Sequence, residues 1–450
     1  MTDPTPLAVI VLAAGVGTRM RSARPKPLHA VGGAPLLHHV LRAVGAAAAD
    51  RLVVVVGEGA AQVSAAAQAV APEAVLVEQA ERRGTGHAVR CAAPALEGFE
   101  GDVAVVYADT PLLTAETVAG LRAPLAAGAT VSVLGFEPAD PGLYGRLVTD
   151  ANGALLRIVE AREASAEERA VRLCNAGLMA FRWPEAAPWL EGLSAENAKG
   201  EYYLTDLVAA AGTAGHRAGF ARAAPEAVMG VNDRAELAAA EAAFQARARA
   251  AAMERGATLV APETVFFAID TALGRDVVVE PNVVFGPGVT VADGARIRAF
   301  SALEGCFIGE GAVIGPFARL RPGAEIGAGA HVGNYVEVKN ATLGAGSKAN
   351  HLAYLGDASI GAGANIGAGT ITCNYDGVAK HRTEIGEGAF IGSNSALVAP
   401  VTVGAGAYVG SGSVITADVA PDALALARAR QVEKPGLAAR LRAALSRGKR

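Results

Sequence analysis

The chain has 450 residues, 52% of them hydrophobic, with 40 basic against 44 acidic side chains. A single hydrophobic core rarely organises so long a chain, so two or three domains are expected. The near-neutral balance excludes a whole-surface electrostatic mode of binding nucleic acid and directs attention to small-molecule partners.

Four cysteines, Cys91, Cys174, Cys306 and Cys373, are scattered without a CxxC pair, which gives neither a zinc site nor a disulfide framework and fits a reducing, cytoplasmic setting. The start "MTDPTPLAVIVLAAG" lacks a basic leader region, and no apolar run reaches the roughly 20 residues of a membrane span.

Up to about residue 230, β-branched runs alternate with Ala-rich helical stretches: "LAVIVL", "RLVVVV", "AVLVE", "DVAVVYAD" and "TVSVLGF". This alternation predicts an α/β, Rossmann-like domain with a mainly parallel sheet, whose ligands gather at the carboxyl ends of the strands. "LAAGVGTRM" follows the first strand directly, and Gly15 and Gly17 let backbone N–H groups approach phosphate oxygens. Arg19 and Lys26 add positive charge. The loop is neither a Walker sequence nor a dinucleotide fingerprint, since Met20 stands where the third Gly would be. "QAERRGTGHAV" supplies a second small-residue loop, suited to a flat base. "VAVVYADTP" puts Asp109 at the tip of an apolar strand, where a carboxylate needs exposure, a partner or a cation.

"NDRAELAAAEAAFQARARAAAMERG" predicts one helix, capped by Asn232 or Asp233 and closed by Gly256, that connects two halves. Beyond it, aliphatic residues fall every six positions, at 308, 314, 320, 326, 332 and 338, at 360 and 366, and from 385 to 415. A period of six is the hexapeptide signature of a parallel β-helix, here about eight coils. The period breaks near 339–359 and 373–384, and the polar cluster Arg321, Lys339, His351, Tyr354, Asn365, Asn374 and Tyr375 lies in or beside those breaks. Interruptions of a repeat commonly mark a functional face.

The set "LAAGVGTRM…RPKPLH", "GTGHA", "YADTP", "YGR", "CNAG", "EYYLTD" and "VND", followed by hexapeptides, resembles the family of bifunctional bacterial N-acetylglucosamine-1-phosphate uridylyltransferase/glucosamine-1-phosphate acetyltransferases. The resemblance spans nearly the whole chain and implies a nucleotidyltransferase domain over 1–233, a helical linker over 234–256, and a left-handed β-helix acetyltransferase domain over 257–450 that ends in a basic tail.

It further implies that Leu12, Ala13, Ala14, Gly15, Arg19 and Lys26 bind the nucleotide, that Gln79, Gly84 and Thr85 hold the uracil side, and that Tyr107, Ala108 and Asp109 belong to the same nucleotide and sugar site. Gly145, Glu160, Asn175 and Glu201 would surround the sugar, and Asp109 with Asn232 would bind Mg²⁺. In the second half His351 would be the general base, Arg321 and Lys339 would hold the sugar phosphate, and Tyr354 and Asn365 would orient the sugar. Ala368, Asn374, Tyr375, Ser393, Ser411 and Arg428 would contact acetyl-CoA. UTP and acetyl-CoA are the implied co-substrates, a homotrimer the implied assembly, and UDP-N-acetylglucosamine for cell-wall and lipopolysaccharide synthesis the implied product. Three features depart from the family pattern: Tyr-Ala-Asp replaces the usual Tyr-Gly-Asp, Ser411 replaces a small apolar residue, and the segment between Gly145 and Glu160 is one residue longer than is typical. An alternative keeps the nucleotidyltransferase and makes the rod a non-catalytic oligomerisation module.

Overall fold

The computed structural model describes residues 5–150, 153–197 and 199–447. The chain forms two compact units, Met1–Ala250 with Phe267–Ile269, and Ala251–Phe266 with Asp270–Arg450.

The first unit is built on a nine-stranded sheet of β1 (Leu7–Leu12), β2 (Arg51–Val56), β3 (Val75–Glu78), β4 (Asp102–Tyr107), β5 (Val131–Phe136), β6 (Arg146–Thr149), β7 (Leu155–Val159), β8 (Cys174–Arg182) and β9 (Ala218–Arg222), in the order β3-β2-β1-β4-β8-β5-β9-β7-β6. The first four neighbours are parallel, but β8 runs antiparallel between β4 and β5, and the β6–β7 edge is antiparallel too. The sheet is therefore mixed rather than mainly parallel.

Alternation along β1 explains why both faces are covered. Val9 and Val11 face Leu37, Val40 and Leu41 of α1 (Leu36–Ala46), whereas Ala8, Ile10 and Leu12 belong to a second cluster with Val89 of α2 (Thr85–Ala92). A helix capped by Asp233, α3 (Arg234–Glu254), follows the sheet; the Asp233 carboxylate accepts the Ala235 and Glu236 N–H groups at 2.9 Å. It is more than a connector. A Cβ at Gly32 would strike the Phe244 ring, and the buried Gln245 side chain bonds the Phe267 N–H and carbonyl at 2.8 Å each.

The second unit is a left-handed parallel β-helix whose short strands stack into three faces, one of which runs through ten strands from Thr258–Leu259 to Leu424–Ala425. The rod thus starts earlier and has more coils than the hexads imply. Every six-residue position named above is buried, including Ile314, Val338, Ile391 and Val409 at no more than 1% exposure. Each such side chain contributes roughly 1.5–3 kcal/mol of burial energy to the axis.

The first interruption, near 339–359, is not a break. Val338 to Leu343 and Leu355 to Ile360 are five apart instead of six, and the chain runs on as the strands Glu337–Leu343 and Tyr354–Ile360. The missing residue is absorbed by Asn340 and Asp357, which take the left-handed conformation at φ 45° and 48°. The second, after Cys373, is a true excursion that ends where Thr383 pairs with Ala358. Past the rod, the exposed tail forms α4 (Leu437–Arg447); Gly448, Lys449 and Arg450 lie outside the described residues.

Candidate functional site

A cavity of about 450 Å³ opens at the carboxyl ends of β1, β3 and β4, lined there by Leu12, Gln79 and Tyr107. Leu12, Ala13, Ala14 and Gly15 form one wall. Gly17, at φ 64°, lies where a Cβ would meet the Lys26 stem at 2.6 Å, so its lack of a side chain lets the loop fold onto Lys26. At Gly15 a Cβ would meet nothing within 4 Å, leaving the backbone open to the cavity.

The Lys26 ammonium pairs with the Asp109 carboxylate and donates to Asn232 Oδ1 at 2.7 Å. These groups meet because the Val231 N–H donates to the Asp109 carbonyl at 2.9 Å, tying the "VND" loop to the strand tip. Two hard oxygen donors thus converge on one cation, a donor set that fits Mg²⁺, which takes few protein ligands and completes its shell with phosphates and water. Among the described residues no group of three or more His, Cys, Asp or Glu is arranged to hold a metal alone.

The second wall is a latch between two motifs. The Gly86 N–H donates to the Tyr202 carbonyl at 2.8 Å, the Tyr202 N–H to the Arg83 carbonyl at 2.7 Å, and the Leu204 N–H to Thr85 Oγ1 at 3.1 Å, joining "GTGHA" to "EYYLTD". Gln79 supports the loop by donating to the Gly84 carbonyl at 3.1 Å. Tyr107, Ala108, Glu160, Asn175 and Glu201 complete the lining. Burial, then the Asp109 charge, pushes the Tyr107 phenol above its usual range and keeps it protonated.

Gly145 and Arg19 stand apart from this lining. Gly145 is buried and supports the site through its carbonyl, which accepts the Asn175 N–H at 2.8 Å. Arg19 sits on an exposed turn, and Asn232 reaches the cavity only through Lys26. The sequence reading misses Arg82, Lys199, Tyr203 and Thr205 in the wall, although all four lie within or beside the quoted "GTGHA" and "EYYLTD" motifs.

On the rod, Asn334 and His351 stand in parallel register on adjacent coils, with Asn334 Oδ1 2.8 Å from His351 Nδ1. An amide oxygen only accepts, so this contact is a hydrogen bond when Nδ1 carries a proton, and in the neutral ring that tautomer leaves the Nε2 lone pair free. The face that starts beyond this corner carries Tyr354, whose hydroxyl would be struck by a Cβ at Gly356. Arg321 donates to Glu337 at 2.8 Å, and Glu337 pairs in register with Tyr354. At the far edge, contact with Lys380 and then its charge and that of Arg321 push the Lys339 ammonium below the usual lysine range. Asn365 lies on the face that ends at His351, one coil on from Lys348.

The residues implied for acetyl-CoA rise from His351 as a column at that corner. The Gly369 N–H donates to the His351 carbonyl at 3.4 Å, Asn394 to Ala368 at 2.7 Å, Gly412 to Ser393 at 2.8 Å, and the Arg428 guanidinium to the Ser411 carbonyl at 2.7 Å. Asn374 and Tyr375 begin the excursion on the opposite corner; Asn374 is buried and Tyr375 exposed.

Sequence comparisons agree with the two kinds of domain. Residues 9–172 match the family described as MobA-like NTP transferase domain, and residues 305–340 and 382–417 match bacterial transferase hexapeptide repeats. The "Bifunctional protein GlmU" of Xanthobacter autotrophicus is 59% identical over 98% of this chain and 99% of its own length. The proteins of the same name from Cereibacter sphaeroides and Paracoccus denitrificans are 58% and 56% identical, over 98% and 99% of this chain and 96% and 99% of their own lengths. With two transferase architectures in series and identity above half along almost its entire length, the chain belongs to the GlmU family of bifunctional proteins.

Proposed function

We infer that the chain makes UDP-N-acetylglucosamine in two steps, acetylating glucosamine-1-phosphate from acetyl-CoA on the rod and then joining the product to UTP, with release of pyrophosphate, in the sheet domain. The observation that carries the residue-level reading is the pairing of two separate polar centres, Lys26 with Asp109 and Asn232, and Asn334 with His351.

Uridylyl transfer needs no protein base, because the sugar phosphate is already an ionised nucleophile. Its oxygen attacks the α-phosphorus, the bond to the β-phosphate oxygen breaks, and pyrophosphate leaves. The protein aligns the reactants and stabilises the growing charge, a task for the Lys26 ammonium and the backbone donors of the Leu12 to Gly15 wall. Mg²⁺, when bound by Asp109 and Asn232, would neutralise charge on the triphosphate.

Acetyl transfer needs a base, because an ammonium cannot attack a thioester. His351 Nε2 takes the proton, the amine nitrogen bonds the acetyl carbon, and the carbon–sulfur bond breaks to release the coenzyme thiolate, which is then protonated. Asn334 holds the ring in the tautomer this requires. A rod used only for assembly has no need of a histidine oriented in this way.

A homotrimer is supported by the same corner. Below His351 it continues as Leu352, Tyr335, Phe317 and Phe300, exposed at 62, 57, 42 and 53% and all at positive φ. Phe300, Phe317 and Tyr335 stack at centroid distances of 4.9 and 5.3 Å. A contiguous apolar ridge in a conformation costly for large side chains is a surface for another copy of the chain. Cytoplasmic function in cell-wall and lipopolysaccharide precursor supply accords with the substrates; among the described residues no helix is long and apolar enough to cross a membrane.

The test is an omission assay. With glucosamine-1-phosphate, acetyl-CoA, UTP and Mg²⁺ present, mass spectrometry should detect UDP-N-acetylglucosamine; without UTP the acetylated sugar phosphate should accumulate, and without acetyl-CoA neither product should form. UDP-sugar formed from glucosamine-1-phosphate without acetyl-CoA would contradict this order.

A further inference from the structure

Asp357 has no role in either reaction as derived so far, yet the cationic edge of the acetyl-transfer face closes on it. It is 8% exposed and occupies the left-handed corner of a shortened coil. Its Oδ1 accepts Asn340 Nδ2 at 2.5 Å from the preceding coil, and its Oδ2 accepts Asn374 Nδ2 from the following one. Both carboxylate oxygens are therefore engaged by amides, each 17 residues away.

Asn374 is the root of the excursion that runs to Arg382, and this arm is braced within itself. The His381 N–H donates to the Asn374 carbonyl at 2.8 Å, while the Asp376 carboxylate accepts the Val378 and Ala379 N–H groups at 2.8 and 2.7 Å and contacts His381 Nε2 at 2.7 Å. The bond from His381 to the Asn374 carbonyl closes the arm onto its root. The arm carries Lys380 against Lys339, two ammonium groups that repel each other, and the Asp357 charge acts on both. Burial pushes the Asp357 carboxyl up, but the hydrogen bonds from Asn340 and Asn374 and the charges of Lys380 and Lys339 outweigh it and keep it ionised.

We propose that Asp357 is a positioning residue for acetyl transfer: its carboxylate fixes the arm root through Asn374 and holds Lys339 and Lys380 together as a preformed receptor for the phosphate of the amino sugar. This rests on the assignment of that face to glucosamine-1-phosphate. Preorganisation of two like charges lowers the cost of binding a dianion, so the effect belongs mainly to substrate affinity.

Asp357→Asn and Asp357→Ala in the full chain separate charge from anchoring. In Asp357→Asn, a flipped Asn374 amide can keep the root bonded while the charge is lost. KM for glucosamine-1-phosphate should then rise about tenfold, the scale of one charge-assisted contact, with a smaller change in kcat. Asp357→Ala also frees the arm, so KM should rise for both substrates and kcat should fall. Adding Asn374→Ala to Asp357→Ala should cost less than it does in the wild type, because the two side chains act through one bond. Uridylyl transfer, measured on the same preparations, should not change. Wild-type KM values in both variants would overturn the proposal, as would a fall in kcat that tracks the melting temperature while KM for both substrates stays at the wild-type value. Absence of acetyl transfer in the wild-type protein would instead refute the assignment of the face.

Discussion

The Lys26 ammonium and the Asp109 carboxylate form an ion pair in the wall of the sheet domain's cavity, although 83 positions separate them in the chain. The pair joins the loop after the first strand to the tip of the fourth, so the two groups most able to stabilise a triphosphate are fixed before substrate arrives.

Replacing Asp109 with Ala should abolish uridylyl transfer, lowering kcat by at least about a hundredfold, the scale seen when one electrostatic stabiliser is lost. Acetyl transfer should continue at the wild-type rate. Separate assays of the two half-reactions on one preparation check both halves of the expectation.

Lys26→Met should weaken catalysis and strengthen metal binding. With the ammonium gone, the oxygens of Asp109 and Asn232 lose their compensating charge and attract another cation. Calorimetric titration of nucleotide-free protein with Mg²⁺ should give tighter binding to the variant than to the wild type.

The alkaline limb of acetyl transfer should be set by Lys339. Contact with Lys380 is the largest cause lowering its pKa, so Lys339 loses its proton at a lower pH than an ordinary lysine and KM for the sugar phosphate rises as pH increases through that point. Lys380→Ala removes this cause. In the KM–pH profile the limb should move to higher pH, even as KM at neutral pH worsens through the loss of one cation.

His351→Ala should lose acetyl transfer by about 10²- to 10⁴-fold while uridylyl transfer persists. Asn334→Ala leaves the base in place but frees the ring to turn, so kcat should fall with little change in either KM. Equal rates in wild type and Asn334→Ala would mean that the 2.8 Å contact does not orient the base.

The sequence reading reached the parts of the fold that depend on one residue type repeated at a fixed spacing. The hexad residues are legible because each coil turns one aliphatic side chain inward, and β1, β2 and β4 because they are buried on both faces. The shortened corners at Asn340 and Asp357 are not legible, since the loss of one residue resembles the end of a repeat until the strands pair across coils. β8 is obscured by its bulge between Asn175 and Met179; the helix Arg234–Glu254 is legible, but its Ala-rich surface hides the fit of Phe244 over Gly32.

The candidate site residues follow the same division. Lys26, Asp109 and His351 stand out because a charged or titratable group interrupts apolar or small-residue surroundings. Their partners do not. Asn334 and Asp357 owe their roles to register between coils 17 residues apart, Lys380 to the excursion that leaves the rod after Cys373, and Arg82 and Lys199 to the latch between two loops far apart in sequence.

The most direct measurement mixes two inactive proteins. Asp109→Ala and His351→Ala, each incubated alone with glucosamine-1-phosphate, acetyl-CoA, UTP and Mg²⁺, should make no UDP-N-acetylglucosamine, the first accumulating the acetylated sugar phosphate. Combined, they should form it at a rate limited by transfer of that intermediate through solution. Formation of the UDP-sugar by either variant alone, or none by the mixture, would contradict the assignment of two independent catalytic centres to Asp109 and His351.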